Sequence, residues 1–136
     1  MLFRSLAADT PYLADAGVER TKLRGFVGLA GPYDFLPLTS ARLIEIFGGA
    51  NRPEIEAITF ARAPLPPALL VHGTADTTVY PRNSEHLAAA WKGAGAEADL
   101  RLYPGVDHVD LIAAFAGILQ GRAPTRDDVV AWLERH

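Results

Sequence analysis

The sequence has no cysteine, no long apolar run and no block of like charges. The lack of cysteine excludes disulfides, a thiol nucleophile and Cys-based zinc sites. No apolar run approaches the ~20 residues that a bilayer-spanning helix needs. The net charge of -3 is spread along the chain and gives no bulk attraction for nucleic acid or anionic lipid. Neither a nucleic acid nor a membrane is therefore an expected partner.

The length and composition suit one domain with a hydrophobic core. The chain has 136 residues, of which 49% are hydrophobic and 21% charged. Residues 1–13 carry too short an apolar stretch for a secretory signal and no small-residue cleavage site after it, so the cytoplasm is the expected location. Leu2, Phe3 and Leu6 recur at helical spacing, but no capping residue precedes them. This pattern predicts a helix of which these residues are not the first turn.

Three short segments are predicted to be strands. Residues 26–30 and 68–71 are continuously apolar, which is typical of strands that are covered on both faces in a parallel sheet. Residues 100–103 alternate apolar with polar, which favours a half-exposed strand at a sheet edge. Helical patterns separate the strands, so the sequence predicts an α/β fold with about three mostly parallel strands and flanking helices.

Helical spacing predicts three helices in the second half of the chain. One follows Pro81 and ends near Gly93, and one has a strongly apolar face from Leu111 to Leu119. A last helix opens at Thr125, where Thr125 and Asp128 resemble a capping box. Among the histidines, His72 is predicted to be structural at a strand end, whereas His86 and His136 are predicted to face solvent.

Two loops carry candidate catalytic groups. Asp76 follows the strand that ends near Gly73, and His108 follows the strand that ends at Tyr103. Alone, Asp76 is equally well explained as a turn residue, and a lone loop histidine such as His108 is more often a surface residue than a catalytic base. Together they match a carboxylate that fixes the tautomer of a histidine base, because neighbouring parallel strands end at the same sheet edge. The order Asp then His is that of the α/β-hydrolase triad, in which serine comes first.

The sequence resembles the α/β-hydrolase superfamily, and within it the carboxylesterase and lipase-like branch. The resemblance rests on GFVGLAGPYDF at 25–35, on FGGANRPEIEAITFARAPLPPALLVHGTADTTVYPRNSEHLAAAW at 47–91 and on LRLYPGVDHVDLI at 100–112. It implies that Asp76 is the triad acid and His108 the triad base. It also implies hydrolysis of a small-molecule carboxylic ester by a serine mechanism, with no cofactor.

The sequence departs from this family in having no Gly-x-Ser-x-Gly nucleophile elbow and no HGGG-like segment. Ser5 lies in the opening helical pattern, and Ser40 and Ser84 lie where helix capping is the expected role. The resemblance therefore implies a single C-terminal part of a hydrolase domain, residues 1–136, that supplies acid and base without the nucleophile. We expect the chain alone to be inactive. We also expect the apolar strand at 26–30 to self-associate or to pair with a separate N-terminal piece.

Residues 34–67 are predicted to form a helical insertion that acts as a lid or lines a pocket. A short helix through Leu43 and Phe47 ends at Gly48, and another turn begins at Pro53. Tyr33 and Phe35 are candidates for the pocket lining. Ordinary packing is the alternative for most apolar residues of this stretch.

Two other functions compete with the ester hydrolase. An amide or peptide hydrolase of the same fold uses the same acid and base. A non-catalytic interaction module, or pseudoenzyme, would keep the fold without activity. A metal role is not expected, because His72, Asp76 and His108 lack the one-face helical spacing of a zinc motif such as H-E-x-x-H.

Overall fold

Three parallel strands form the centre of the molecule. A computed structural model describes Leu13, residues 15–119 and residues 121–136. Strands β1 (Phe26–Leu29), β2 (Ala68–Gly73) and β3 (Ala98–Tyr103) lie in the order β1-β2-β3. Phe26 is opposite Ala68, and Ala68 is opposite Ala98, in two parallel pairings. The predicted parallel sheet is confirmed, whereas the helix predicted around Leu2, with Ser5, lies outside the described residues.

The three strands differ in burial as their positions in the sheet require. All six residues of the central strand β2 are buried. Strand β3 exposes its middle residues, which confirms the predicted half-exposed edge. Strand β1 was predicted to be covered on both faces, but only Gly28 is buried, because β1 lies at the other edge of the described sheet.

Helices cover both faces of the sheet. The α-helices whose bounds lie within residues 15–119 and 121–136 are α1 (Ala41–Phe47), α2 (Arg82–Gly93), α3 (His108–Phe115) and α4 (Thr125–Leu133). Three 3-10 turns occupy Arg20–Lys22, Pro53–Ile55 and Ala57–Phe60. None of the helices within the described residues is long and apolar enough to cross a membrane.

The core has two layers because neighbouring side chains of a strand point to opposite faces. Leu69 and Val71 pack on one face with Leu111 of α3 and Trp132 of α4. On the other face Leu70 packs with buried residues of α2 and of the segment between β1 and β2; these are Leu87, Ala88, Trp91, Tyr33 and Ala57. Each large apolar side chain buried in this way contributes about 1.5–3 kcal/mol.

Three sequence predictions about the C-terminal half are wrong in detail. The helix predicted from Leu111 to Leu119 instead begins at His108 and ends at Phe115, and it buries only Leu111 and Ala114. Thr125 and Asp128 form no capping box, because Asp128 instead accepts a hydrogen bond from Tyr103 Oη at 2.6 Å. His136 does not face solvent, since its ring stacks on Trp132 with centroids 4.2 Å apart.

Candidate active site

The loops that follow β2 and β3 are joined by backbone contacts at the carboxyl edge of the sheet. Thr74 N donates to Tyr103 O at 3.0 Å, and Ala75 N donates to Val106 O at 3.0 Å. Gly73 makes this approach feasible, because a Cβ atom there would lie 2.1 Å from Val106 O. The close packing of the two loops brings the residues that follow them, Asp76 and His108, together.

Asp76 lies in a tight turn and is only 2% exposed. Its Oδ1 accepts hydrogen bonds from the N–H groups of Thr78 and Val79, at 2.9 and 2.8 Å. Its Oδ2 accepts from His108 Nδ1 at 2.7 Å, and His72 Nε2 lies 3.2 Å from the same oxygen. The carboxylate therefore accepts hydrogen bonds on both oxygens, from its own turn and from His108, with His72 in contact.

These donors keep Asp76 ionised despite its burial. Burial by itself raises the pKa of Asp76, because a charged carboxylate loses its water. The hydrogen bond from Val79 N–H, followed by the hydrogen bond and charge of His108 and the bond from Thr78, outweighs burial and lowers the pKa below its ordinary value. A carboxylate is thus available to orient the imidazole at neutral pH.

His108 is the first residue of α3 rather than a loop residue. Asp107 caps this helix, because its side chain accepts a hydrogen bond from Asp110 N at 2.8 Å. The imidazole donates from Nδ1 to Asp76, which leaves the Nε2 lone pair as the basic site of the neutral ring. Among the described residues Nε2 has no hydrogen-bond partner, and the side chain is 31% exposed. The ring is therefore partly accessible to solvent.

The serines occupy different surroundings from the two predicted catalytic residues. Ser84 is fully buried in α2 and bonds to His72 Nδ1 at 2.7 Å, so the predicted capping role is wrong. Ser40 precedes α1 as its N-cap residue, but its side chain makes no capping bond. The spacing of Ser84, Leu87 and Trp91 places Ser84 on the buried face of α2, which is the sequence signal for its burial.

An open cleft of about 420 Å³ lies beside the Asp76 turn. Thr78 and Val79 form one wall, and the rest comes from the loop after β1 and from α1; these residues are Pro32, Phe35, Pro37, Leu38, Thr39, Ser40, Leu43 and Phe47. The lining is mostly apolar, as in small-molecule sites. Phe35 lines the cleft as predicted, whereas Tyr33 is buried in the core and packs edge-on against Phe26.

Two buried polar side chains hold the cleft wall after β1. Asn83 Oδ1 accepts hydrogen bonds from the N–H groups of Tyr33 and Asp34, both at 2.9 Å. Glu56 Oε1 accepts from the next two N–H groups, those of Phe35 and Leu36. This irregular segment therefore has bonded backbone groups without regular secondary structure. The sequence analysis missed both residues, because such long-range bonds follow no spacing rule.

In the described part of the chain, no three His, Asp or Glu side chains form a group that could hold a metal ion. The titratable groups that the site brings together are Asp76, His108 and His72. Such an arrangement can accept a proton on His108 Nε2 and stabilise the resulting imidazolium through Asp76.

Comparisons with solved structures confirm the partial α/β-hydrolase fold. A truncated carbohydrate esterase from gut microbiota superposes with a TM-score of 0.65, at 21% identity, over 83% of this chain and 42% of its own. Esterase 2 of Thermogutta terrifontis, phosphoramylated by tabun, gives a TM-score of 0.59 at 22% identity, over 84% of this chain and 43% of its own. Carboxylesterase Cest-2923 of Lactobacillus plantarum gives 0.61 at 16% identity, over 81% and 41%. The chain thus spans about four-tenths of the length of these esterases.

Sequence comparisons identify the family within this fold. The comparison with curated proteins found no match. The profile of the prolyl oligopeptidase family matches residues 36–136, which include both Asp76 and His108. Because this match covers well over half of the chain, the chain belongs to the prolyl oligopeptidase family.

Proposed function

We propose that this chain supplies the acid and the base of a serine-type hydrolase of carboxylic esters. The observation that carries the proposal is the hydrogen bond of 2.7 Å between His108 Nδ1 and Asp76 Oδ2. In the proposed mechanism the bond fixes the tautomer that leaves Nε2 ready to accept a proton. Family membership and the fold of the esterases support the same chemistry.

The proposed mechanism begins with proton transfer to His108 Nε2 from a serine hydroxyl outside these 136 residues. The serine oxygen then bonds to the acyl carbon, and the imidazolium gives its proton to the departing alcohol. Water then repeats the sequence: His108 takes its proton, the water oxygen bonds to the acyl carbon, and the proton passes to the serine oxygen as the carboxylic acid leaves. Asp76 stays ionised throughout and stabilises the imidazolium, which the lowered pKa of this carboxyl group supports.

We further propose that the 136-residue chain has little or no esterase activity by itself. Its sequence has no Gly-x-Ser-x-Gly elbow. Ser84 is fully buried against His72 and is not accessible to a substrate. Loss of the nucleophile from a comparable triad lowers turnover on the order of a millionfold.

The cleft suggests where the apolar part of an ester binds. It lies beside the Asp76 turn and has mostly apolar walls from residues 32–47. We propose that residues 34–67 form the lid- or pocket-like insertion that selects the acyl or alcohol group. Because Phe35, Leu43 and Phe47 present their side chains to the cleft, they are the residues expected to set this preference.

Peptide-bond hydrolysis is the second candidate, and the match to the prolyl oligopeptidase family favours it. The same acid and base serve an amine leaving group, since His108 can protonate nitrogen as well as oxygen. Turnover of nitrophenyl acetate and of a proline nitroanilide peptide separates the two candidates. A preference of kcat/KM for the anilide assigns a peptidase, and a preference for the acetate assigns an esterase.

The experiment starts from the coding DNA upstream of Met1, because an in-frame Gly-x-Ser-x-Gly elbow there defines a longer product to assay. We expect that product to hydrolyse nitrophenyl acetate and the 136-residue chain to give no turnover above buffer. His108→Ala should lower kcat on the order of 10⁶-fold, and Asp76→Asn on the order of 10⁴-fold. His86→Ala is the matched control and should keep full turnover, because His86 pairs with Asp34 on the surface.

Three results would contradict the proposal. Turnover that survives His108→Ala would remove the proposed base. Turnover by the 136-residue chain that is lost in the same variant would contradict the proposed inactivity. The absence of any serine elbow upstream, together with no turnover, would favour the non-catalytic interaction module.

Strand β1 supports a proposal about partners. It lies at the edge of the described sheet, and Phe26, Val27 and Leu29 are only partly buried. We propose that a further strand pairs with β1, from a second copy of the chain or from a separate N-terminal piece, because exposed apolar edges pair readily. Light scattering after size exclusion should give a mass above 14.6 kDa for the chain alone if copies pair. A chain that stays monomeric and does not bind the separately expressed N-terminal piece would contradict this proposal.

A further inference from the structure

His72 is a buried titratable residue for which the proposed mechanism has no step. It lies in β2 and has no exposed surface. A buried imidazole is costly unless both nitrogens are hydrogen-bonded. Here Nδ1 lies 2.7 Å from Ser84 Oγ, and Nε2 lies 2.7 Å from Val79 O. Both nitrogens therefore have partners, one on α2 and one in the turn that contains Asp76.

The partners of His72 define the role of each atom. Nε2 faces two acceptors, Val79 O and, at 3.2 Å, Asp76 Oδ2, so it must carry a proton and donate it. In the neutral ring Nδ1 then holds a lone pair and accepts a hydrogen bond from the Ser84 hydroxyl. Val79 O and Asp76 Oδ2 thus select the tautomer that points an N–H group at the Asp76 turn, and the Ser84 hydroxyl fixes the ring by donating to its other nitrogen.

His72 contacts both ends of that turn. Asp76 Oδ1 closes the turn by accepting bonds from Thr78 and Val79 N–H, while the other oxygen is shared with His108. The Nε2–H group of His72 contacts Val79 O at one end and Asp76 Oδ2 at the other. Local bonds shape the turn, but His72 attaches it to the central strand.

We propose that His72 and Ser84 are positioning residues that hold the Asp76–Val79 turn so that Asp76 Oδ2 stays in hydrogen-bonding register with His108. This inference deepens the proposed function and rests on it for its catalytic meaning. The hydrogen bond itself is present in the 136-residue chain and can be measured without any turnover. The two ideas can therefore fail separately.

Ser84 and its neighbour Asn83 also connect the first turn of α2 to the walls of the cleft. Asn83 holds the backbone at Tyr33 and Asp34 on one side, while Ser84 acts through His72 on Val79, which lines the opposite wall. The first turn of α2 therefore sets both the register of the carboxylate and the position of one cleft wall.

The test is proton NMR of the 136-residue chain, with the His108 Nδ1–H proton as the readout. A proton shared with a carboxylate gives a far-downfield signal, and the His108→Gln variant assigns it by its loss. Ser84→Ala and His72→Phe should increase the exchange of this proton with water about tenfold or more, because the turn loses its attachment. His72→Gln keeps a side-chain N–H donor near the Nε2 position and should restore part of the protection.

Ser40→Ala is the matched control, since it removes a hydroxyl at a helix start where the side chain makes no capping bond. Its signal should match that of the unaltered chain. Circular dichroism and a cooperative melt establish that each variant is folded, and if His72→Phe does not fold, the comparison of Ser84→Ala with Ser40→Ala decides. A folded Ser84→Ala variant with unchanged exchange would overturn the inference. An unaltered chain without the downfield signal would overturn it as well.

Esterase assays then separate the positioning role from the proposed function. If the NMR result is as expected and no product of the gene hydrolyses esters or peptides, the positioning role stands and the proposed function fails. If a longer product is active and Ser84→Ala changes neither proton exchange nor kcat, the positioning role fails and the proposed function stands.

Discussion

Among the described residues, two histidine–carboxylate pairs have the same bonded atoms and very different surroundings. His108 Nδ1 bonds to Asp76 Oδ2, and His86 Nδ1 bonds to Asp34 Oδ2. The Asp76 side chain has no exposed surface and accepts further bonds from two backbone N–H groups. The Asp34 and His86 side chains are 33% and 53% exposed. The two pairs thus share their residue types and bonded atoms and differ in burial and in the additional donors to the carboxylate.

Removal of the two carboxylates should separate the pairs most clearly. Asp76→Ala leaves the N–H groups of Thr78 and Val79 and the Nδ1–H group of His108 without their acceptor, so we expect a loss of about 3 kcal/mol in the free energy of unfolding. Asp34→Ala should cost less than about 1 kcal/mol, because water replaces the lost carboxylate. Urea unfolding of both variants measures the difference, and equal losses would contradict it.

Gly73→Ala should disturb the buried pair and leave the exposed pair unchanged. A Cβ atom at position 73 would meet Val106 O, a backbone atom that cannot move without its loop. We expect a loss of about 2 kcal/mol. Gly93→Ala is the matched control, because a Cβ there meets nothing within 4 Å. Thermal unfolding measures both variants, and the prediction fails if Gly73→Ala is as stable as the control.

Acid should weaken the buried pair through Asp76. Because the folded-state pKa of Asp76 lies below its ordinary value, its contribution to stability is fully present above the unfolded-state pKa and is lost as pH falls through the folded-state pKa. The free energy of unfolding should therefore fall between about pH 5 and pH 2, and less steeply in Asp76→Asn, which does not titrate. Urea titrations across this range give the two slopes, and parallel slopes would show that Asp76 contributes nothing.

The exposed pair should give the smallest effect. A double-mutant cycle of Asp34→Asn and His86→Ala should yield a coupling energy below about 1 kcal/mol, since exposed ion pairs are weakened by solvent and by side-chain entropy. About 1 M NaCl should reduce it further. A coupling energy that exceeds 2 kcal/mol, or that is insensitive to salt, would place this pair in the same class as the buried one.

Much of the fold could be predicted because it depends on short-range patterns. The continuous apolar run in β2 and the alternation in β3 indicated their central and edge positions. The apolar residues of α3 indicated a helix, but periodicity does not tell how much of an apolar face a neighbour covers, and Ile112 and Phe115 of that face are exposed. Strand β2 extends to Gly73, two residues beyond the predicted strand at 68–71. The cost of burying His72 is offset by its bonds to Ser84 and Val79, and no local sequence pattern links these residues.

The candidate site was predictable only in part. Adjacent parallel strands end at one edge, so the meeting of Asp76 and His108 followed from strand order, while their catalytic roles stay predictions. The cleft beside them depends on Asn83 and Glu56, whose oxygens hold backbone groups 20 to 50 residues away. Contacts across such separations depend on the folded arrangement and leave no periodic signal in the sequence.

The cleft is built from two kinds of wall, and this affects how the protein can evolve. Asn83 and Ser84 are adjacent in sequence but bond to different groups: Asn83 to the backbone at Tyr33, and Ser84 to the His72 ring. A substitution at either residue therefore breaks buried hydrogen bonds. Helix α1 contributes Leu43 and Phe47 to the same cleft but has no buried residue. Mutations in α1 can reshape the cavity at little cost in folding, whereas the start of α2 tolerates few. Changes in α1 can therefore accumulate on one side of the cleft while the residues that hold Asp76 on the other side remain fixed.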